Sequence, residues 1–165
     1  MDPISNKKDF EDLTTNLRDL AYSYIEKYSP SKQQVKTYLL KKYLKKFQGS
    51  KSKKDISAII DKIVLNLEKN RLIDDRLYSD SKARVFLRRG YSINKIGMAL
   101  RTKGIGTENI KLSIEKLKED KPDPDFNSAM KICKKKRIGP LRPEANREIY
   151  YKKDMGILAR SGFGY

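Results

Sequence analysis

Two adjacent carboxylates, Asp74 and Asp75, come nearest in this sequence to an acid/base pair or a metal-ligand set. They stand just before an apolar-periodic stretch, where a carboxylate accepts from the free amides of a helix start and complements the helix dipole. The cap is therefore the stronger reading. Cys133 sits among Met130, Lys134 and Lys135, and neighbouring cations lower a thiol's pKa. With no second cysteine and no histidine to act as resolving thiol or base, a core or half-buried thiol is expected instead. Gly104-Ile105-Gly106 lacks the third glycine and the preceding strand of a dinucleotide site, and no Gly-x-x-x-x-Gly-Lys-Ser/Thr occurs, so both are read as turn glycines. Tyr22, Tyr24, Tyr28, Tyr38 and Tyr43 interleave with lysine. Such rings stack nucleobases or supply amphipathic packing in a lean core, and packing is the favoured reading.

The absences sharpen this. A chain of 165 residues without histidine has no Ser-His-Asp or Cys-His nucleophilic site and no His-bearing zinc site. One cysteine permits no intrachain disulfide. No enzyme activity, cofactor or metal is expected. No apolar run approaches the length that spans a bilayer, and MDPISNKKDFEDL has no signal-peptide core, so a cytoplasmic protein without membrane contact is expected.

What remains is charge: 38 Lys+Arg against 21 Asp+Glu, a net +17. The excess is segregated. Residues 32–54 carry +9, residues 82–103 carry +7 and residues 131–142 carry +6, all without an acid. Fields of this kind attract phosphate backbones or acidic protein surfaces.

Apolar residues recur at helical spacing nearly throughout. Phe10, Leu13, Leu17, Leu20, Ala21, Tyr24, Ile25 and Tyr28 form a first stripe, stopped by Ser29-Pro30. Ser31 with Gln34 reads as a capping box before Val35, Tyr38, Leu39 and Tyr43, a helix fading near Phe47. A basic loop, 48–54, contains a second box, Ser52 with Asp55, ahead of Ile56, Ile59, Ile60, Ile63, Val64 and Leu67. Asp74 or Asp75 caps a fourth helix through Leu77, Tyr78, Val85 and Phe86, which ends at Gly90. Ser92 caps a short helix with Ile96, Ala99 and Leu100, and Thr107 another with Ile110, Ile114 and Leu117, ending at Lys121-Pro122. A further pass begins at Phe126, breaks at the IGPLRP run and resumes through Ile149, Tyr150, Ile157 and Leu158.

Segments 25–31, 86–92 and 158–164 can be superposed: apolar residue, basic helix end, breaker, new helix start. At a constant offset of 61, Val35 lies over Ile96 and Leu39 over Leu100. The expected fold is all-α: elongated tandem three-helix repeats with helix-turn-helix-like units, stacked because one unit cannot bury its apolar face alone. The expected divisions are 1–69, 70–121 and an incomplete third repeat, 122–165. Leu72, Ile73, Val85, Phe86, Ile96 and Leu100 are the expected core of the middle part. The Gly90-Tyr91-Ser92 junction also fits a DNA-reading helix-turn-helix, but no base-reading residue stands at a recognisable position.

Leu72-Ile73-Asp74-Asp75-x-x-Tyr78, Ala83-Arg84, Arg88-Arg89-Gly90-Tyr91-Ser92, Ile96, Leu100 and Lys103-Gly104-Ile105 together resemble the central repeat of the RecX family of RecA regulators. Leu158-Ala159-Arg160-Ser161-Gly162-Phe163 is similar to the L-x-R-x-G-F that opens the family's last repeat, and Arg137 to Arg142 to an insertion in some bacterial members. The resemblance spans about residues 20–165. It departs at Ser79, where the family commonly has Ala, in the basic loop, and at Tyr165, where the family's third repeat continues into two more helices.

The resemblance implies tandem three-helix repeats and a non-enzymatic regulator. Such a protein lies along the RecA filament groove on DNA and restrains strand exchange, ATP hydrolysis and LexA co-cleavage, and so modulates DNA repair and the SOS response. A monomer contacting the RecA filament and single-stranded DNA phosphates is expected. The contacts expected are Arg84, Arg88, Arg89, Lys95, Arg101 and Lys103 in the middle repeat, Lys41, Lys42, Lys45 and Lys46 in the first, and Lys134, Lys135, Lys136 and Arg137 in the third. The rival reading is a nucleic-acid binder acting on DNA or RNA independently of RecA.

Overall fold

The computed structural model describes residues 3–46, 53–120 and 122–164, with side chains from residue 11 onward except those of 46 and 53. Eight α-helices and one 3₁₀ turn, with no strand, make up the described residues. They are α1 (Pro3–Tyr28), α2 (Lys32–Lys46), α3 (Lys53–Lys69), α4 (Asp75–Arg88), α5 (Ile93–Thr102), α6 (Thr107–Asp120), α7 (Pro124–Lys136), the 3₁₀ turn Gly139–Leu141 and α8 (Glu144–Arg160). The chain divides into two compact units, Met1–Tyr78 and Ser79–Tyr165.

In the first unit α1, α2 and α3 pack on one another. The stripes meet in one core: Leu13, Leu17 and Ala21 of α1, Val35, Leu39 and Tyr43 of α2, and Ile56, Ile59, Ile60, Ile63, Val64 and Leu67 of α3. The Ser31–Gln34 capping box forms in both directions: Gln34 N donates to Ser31 Oγ at 3.2 Å and Ser31 N to Gln34 Oε1 at 3.1 Å. Phe10's side chain, Phe47 and the Ser52 box fall outside the described residues.

The second unit pairs α5 with α6 and folds α7, the 3₁₀ turn and α8 together. Ile96 and Leu100 of α5 and Ile110 and Leu117 of α6 are buried. A separate small core joins Ile132, Cys133 and Ile138, with Ile157, Leu158 and Phe163 against it. Between α4 and α6 lies a polar seam. Ser79 Oγ donates to the Asn109 carbonyl at 3.3 Å, Ser113 Oγ lies 2.8 Å from Ser79 Oγ and 2.6 Å from Asp80 Oδ1, and Lys116 Nζ reaches Asp80 at 3.0 Å. The serine at position 79 is thus paired inside the unit: both serine side chains are buried, and each supplies the other's partner.

The expected core of the middle part needs correction. Ile73, Ile96 and Leu100 are buried, but Leu72 is 45% exposed and Val85 and Phe86 are only half-buried. The inward face of α4 is Tyr78, Ser79, Ala83 and Leu87, so the helix is rotated from the face its largest apolar residues suggest. Part of the reason is ring stacking at the surface, where Phe86 lies parallel to Tyr91 with centroids 5.5 Å apart.

The superposed segments share backbone geometry. Ser29, Gly90 and Gly162 all have positive φ, at 43°, 86° and 92°. Gly90 N donates to Leu87 O and Tyr91 N to Phe86 O, while 72 residues on Gly162 N donates to Ala159 O and Phe163 N to Leu158 O. Both are the paired bonds of a Schellman motif.

A second repeated device follows. Asp74 Oδ1 accepts from Arg76 N at 2.7 Å and Leu77 N at 3.1 Å, which makes it the cap of α4. Asp75 does not share that task; its Oδ1 accepts from Lys32 N, the first amide of α2, at 2.9 Å. In the second unit Asp123 Oδ1 caps α7 through Phe126 N at 3.0 Å, and Asp125 Oδ1 accepts from Ile93 N, the first amide of α5, at 2.7 Å. Lys32 and Ile93 are 61 residues apart, the repeat offset. In each case the free first amide of one helix is satisfied by a carboxylate from the start of a later helix.

Candidate functional site

Asp74 and Asp75 are already engaged at helix starts, Asp74 at α4 and Asp75 at α2. The two aspartates are caps, and no group of three or more His, Cys, Asp or Glu among the described residues is placed to hold a metal ion. Cys133 is buried, and desolvation, with Asp154 adding to it, pushes its thiol pKa up. The nearby lysines do not activate it, because burial penalises the thiolate more than exposed cations help it.

The cations separate into those the fold consumes and those it leaves exposed. On α2, Lys32 Nζ bonds Glu68 at 2.8 Å, which raises its pKa, and Lys36 bonds Asp61 at 2.6 Å. Lys41, Lys42 and Lys45 are exposed, with no acidic partner among the described residues, and α2 itself carries no acid. Lys46's side chain lies outside the described residues, as does most of the basic loop.

On α4, Arg84 stands 3.7 Å from Asp120 in an exposed pair worth little. Arg88 and Arg89, at the helix's C-terminal end, are exposed with no acidic partner among the described residues. Cations there complement the negative end of the helix dipole and still point to solvent. Lys95 is different: its Nζ donates to the Arg160 carbonyl and lies 4.3 Å from the Tyr91 ring centroid. It ties α5 to the end of α8. Arg101 is exposed in the last turn of α5, and Lys103, exposed just beyond, has an interaction within the protein.

On α7, Lys134, Lys135, Lys136 and Arg137 are all exposed. Arg137 takes left-handed backbone, φ 52°, and closes the helix. The next cation of that block, Arg142, is not free. Its guanidinium makes a two-pronged contact with the buried Asp154, Nε–Oδ2 2.9 Å and Nη2–Oδ1 2.7 Å, and Gly139 N donates to the same carboxylate at 3.0 Å. Arg142 foremost, and the Gly139 amide, hold Asp154 below the usual carboxylate range, and Asp154 in turn raises Arg142. Arg147 adds bonds to the Arg142 and Pro140 carbonyls, both at 3.0 Å. The Ile138 to Pro143 break is therefore clamped to α8, which fixes the end of the α7 basic run. Sequence reasoning missed this clamp: an Asp 12 residues from an Arg on a helix carries no local signal. Asp125 carried no register signal either: it follows Asp75 by 50 residues, while the amides the two accept from are 61 apart.

Of the expected contacts, Lys41, Lys42 and Lys45 in the first unit, and Arg88, Arg89, Arg101, Lys134, Lys135, Lys136 and Arg137 in the second, are exposed with no acidic partner among the described residues; Arg84 is exposed but paired with Asp120, and Lys103 is exposed but engaged. Surface recesses lie between α2 and α3, beside Lys36 and Asp61, and along α8, beside Arg147 and Tyr151. No helix is long and apolar enough among the described residues to cross a membrane. These features define a class: an all-α repeat protein whose exposed chemistry is cationic.

No protein-family model matches the chain. It is 30% identical over 154 residues to the regulatory protein RecX of Myxococcus xanthus (strain DK1622), covering 92% of this chain and 81% of that one. Its fold matches the crystal structure of a regulatory protein RecX with a TM-score of 0.57 at 24% identity, covering 96% of this chain and 73% of the other. The chain belongs to the RecX family of regulatory proteins.

Proposed function

We propose that this protein is a non-enzymatic regulator that binds the RecA filament and inhibits its recombination, ATPase and co-protease activities, and so acts in DNA repair and the SOS response. The observation that carries this reading is the identity with a regulatory protein RecX along 92% of the chain. The exposed cations suit a protein that binds a polyanion or an acidic surface. The protein acts as a monomer, read as repeats over 1–69, 70–121 and 122–165. Its partner contacts are Arg88, Arg89, Arg101, Lys41, Lys42, Lys45 and Lys134 to Arg137, with Arg84 and Lys103 beside them. Several weak contacts on one chain give avidity without a deep pocket.

The test is DNA-dependent ATP hydrolysis by RecA preassembled on single-stranded DNA, with this protein added below stoichiometry. Inhibition well below one regulator per RecA is expected. Inhibition only at concentrations that coat the DNA overturns the reading in favour of nucleic-acid binding independent of RecA.

A further inference from the structure

Three tyrosines of the first unit form a ladder whose inner end is packed and whose outer end is open. Tyr38 of α2 stacks on Tyr24 of α1, with centroids 4.1 Å apart and planes 5° from parallel. Tyr24 meets Tyr28 at 5.1 Å and 49°. The first two rings are half-buried against the core, while Tyr28 is 56% exposed at the end of α1. Packing accounts for Tyr24 and Tyr38 and leaves Tyr28 unexplained.

A cation stands at each end of the ladder. Lys27 Nζ lies 5.4 Å from the Tyr28 centroid and Lys42 Nζ 5.5 Å from that of Tyr38. At 100° per residue, Tyr24, Lys27 and Tyr28 share one side of α1, while Glu26 lies about 160° around the helix from Tyr28. On α2, Lys42 and Lys45 fall on the Tyr38 side, about 6 Å and 10 Å further along the axis. An aromatic step beside cations at such intervals matches a single strand, whose bases stack on rings while its phosphates follow lysines. Duplex bases are stacked on each other and offer no free face.

We propose that Tyr28, supported by Tyr24 and with Lys27 beside it and Lys42 and Lys45 on the Tyr38 side of the ladder, is a base-stacking platform for single-stranded nucleic acid. The site needs no RecA, so it stands or falls apart from the filament reading. The experiment titrates the full protein, without RecA, against a fluorescent oligothymidylate and against an abasic deoxyribose-phosphate strand of equal length. The wild type is expected to prefer the thymidylate. Tyr28→Ala is expected to weaken thymidylate binding by roughly tenfold, the loss of about one base–aromatic stack, and to leave abasic binding unchanged. Tyr28→Phe is expected to keep the preference. Equal wild-type affinity for the two strands overturns the proposal whatever the variants do, as does a Tyr28→Ala protein of normal helix content that keeps the preference.

Discussion

Arg88 and Arg142 are the same residue type in two acid-free blocks, yet they do different work. Arg142 has both prongs of its guanidinium on a buried carboxylate, while Arg88 and its neighbour Arg89 face solvent. Reversing Arg88 and Arg89 together to Glu is expected to abolish inhibition of the RecA ATPase with helix content unchanged by circular dichroism. Full inhibition by that variant removes this face from the contact. Asp154 predicts a pH dependence. Its folded pKa is lowered by Arg142, so the pair's stabilisation is present above the unfolded carboxyl value of about 4 and is lost as pH falls through the folded one. The melting-temperature gap between wild type and Asp154→Asn is therefore expected to be full at pH 7 and to close as pH drops below about 4. A gap that does not narrow as pH falls below about 4 argues against the charge pair.

At the scale of elements, the repeat shows in joints more than in helices. Asp75 on Lys32 N and Asp125 on Ile93 N satisfy amides that helix geometry leaves free, one in each unit. Asp75→Ala is expected to cost about 1 kcal/mol, as loss of a helix cap does, read from urea unfolding. Gly162 closes a tighter joint. Its φ is 92°, and a Cβ there would overlap Ser92 Oγ and Lys95 Cβ. Ser92 Oγ donates to the Gly162 carbonyl at 2.7 Å and Ser92 N to the Ser161 carbonyl at 3.0 Å. Gly162→Ala is expected to undock the end of α8 and speed hydrogen exchange at the Ser92 amide. An unchanged exchange rate shows that the helix end tolerates the side chain.

At the scale of the molecule, the exposed candidate cations with no acidic partner among the described residues set how binding responds to salt. If six touch phosphates of a single strand, the logarithm of affinity is expected to fall with the logarithm of salt at a slope of about −4, and reversal of Arg88 and Arg89 to flatten it by roughly 1.4. A slope near zero shows that free DNA is not held through these residues.

Much of this is legible in the sequence itself. Helical spacing placed the core of α1 to α3, and the offset of 61 residues placed Ser31 over Ser92, both buried N-caps. Local rules suffice there, because caps, breakers and stripes act within a turn or two of the chain. The division of the cations was not legible. Whether Lys95 faces solvent or the Arg160 carbonyl, and whether Arg142 is free or clamped, depends on residues 65 and 12 positions away in sequence. The rotation of α4 that leaves Val85 and Phe86 half-buried and turns Ser79 inward goes with the partner that Ser113 offers across the seam. Helices, their repeat and the sign of the surface follow from local sequence. Tertiary structure alone decided which charges remain on that surface, because a side chain is used up by partners that chain folding, and not spacing, brings within hydrogen-bond reach.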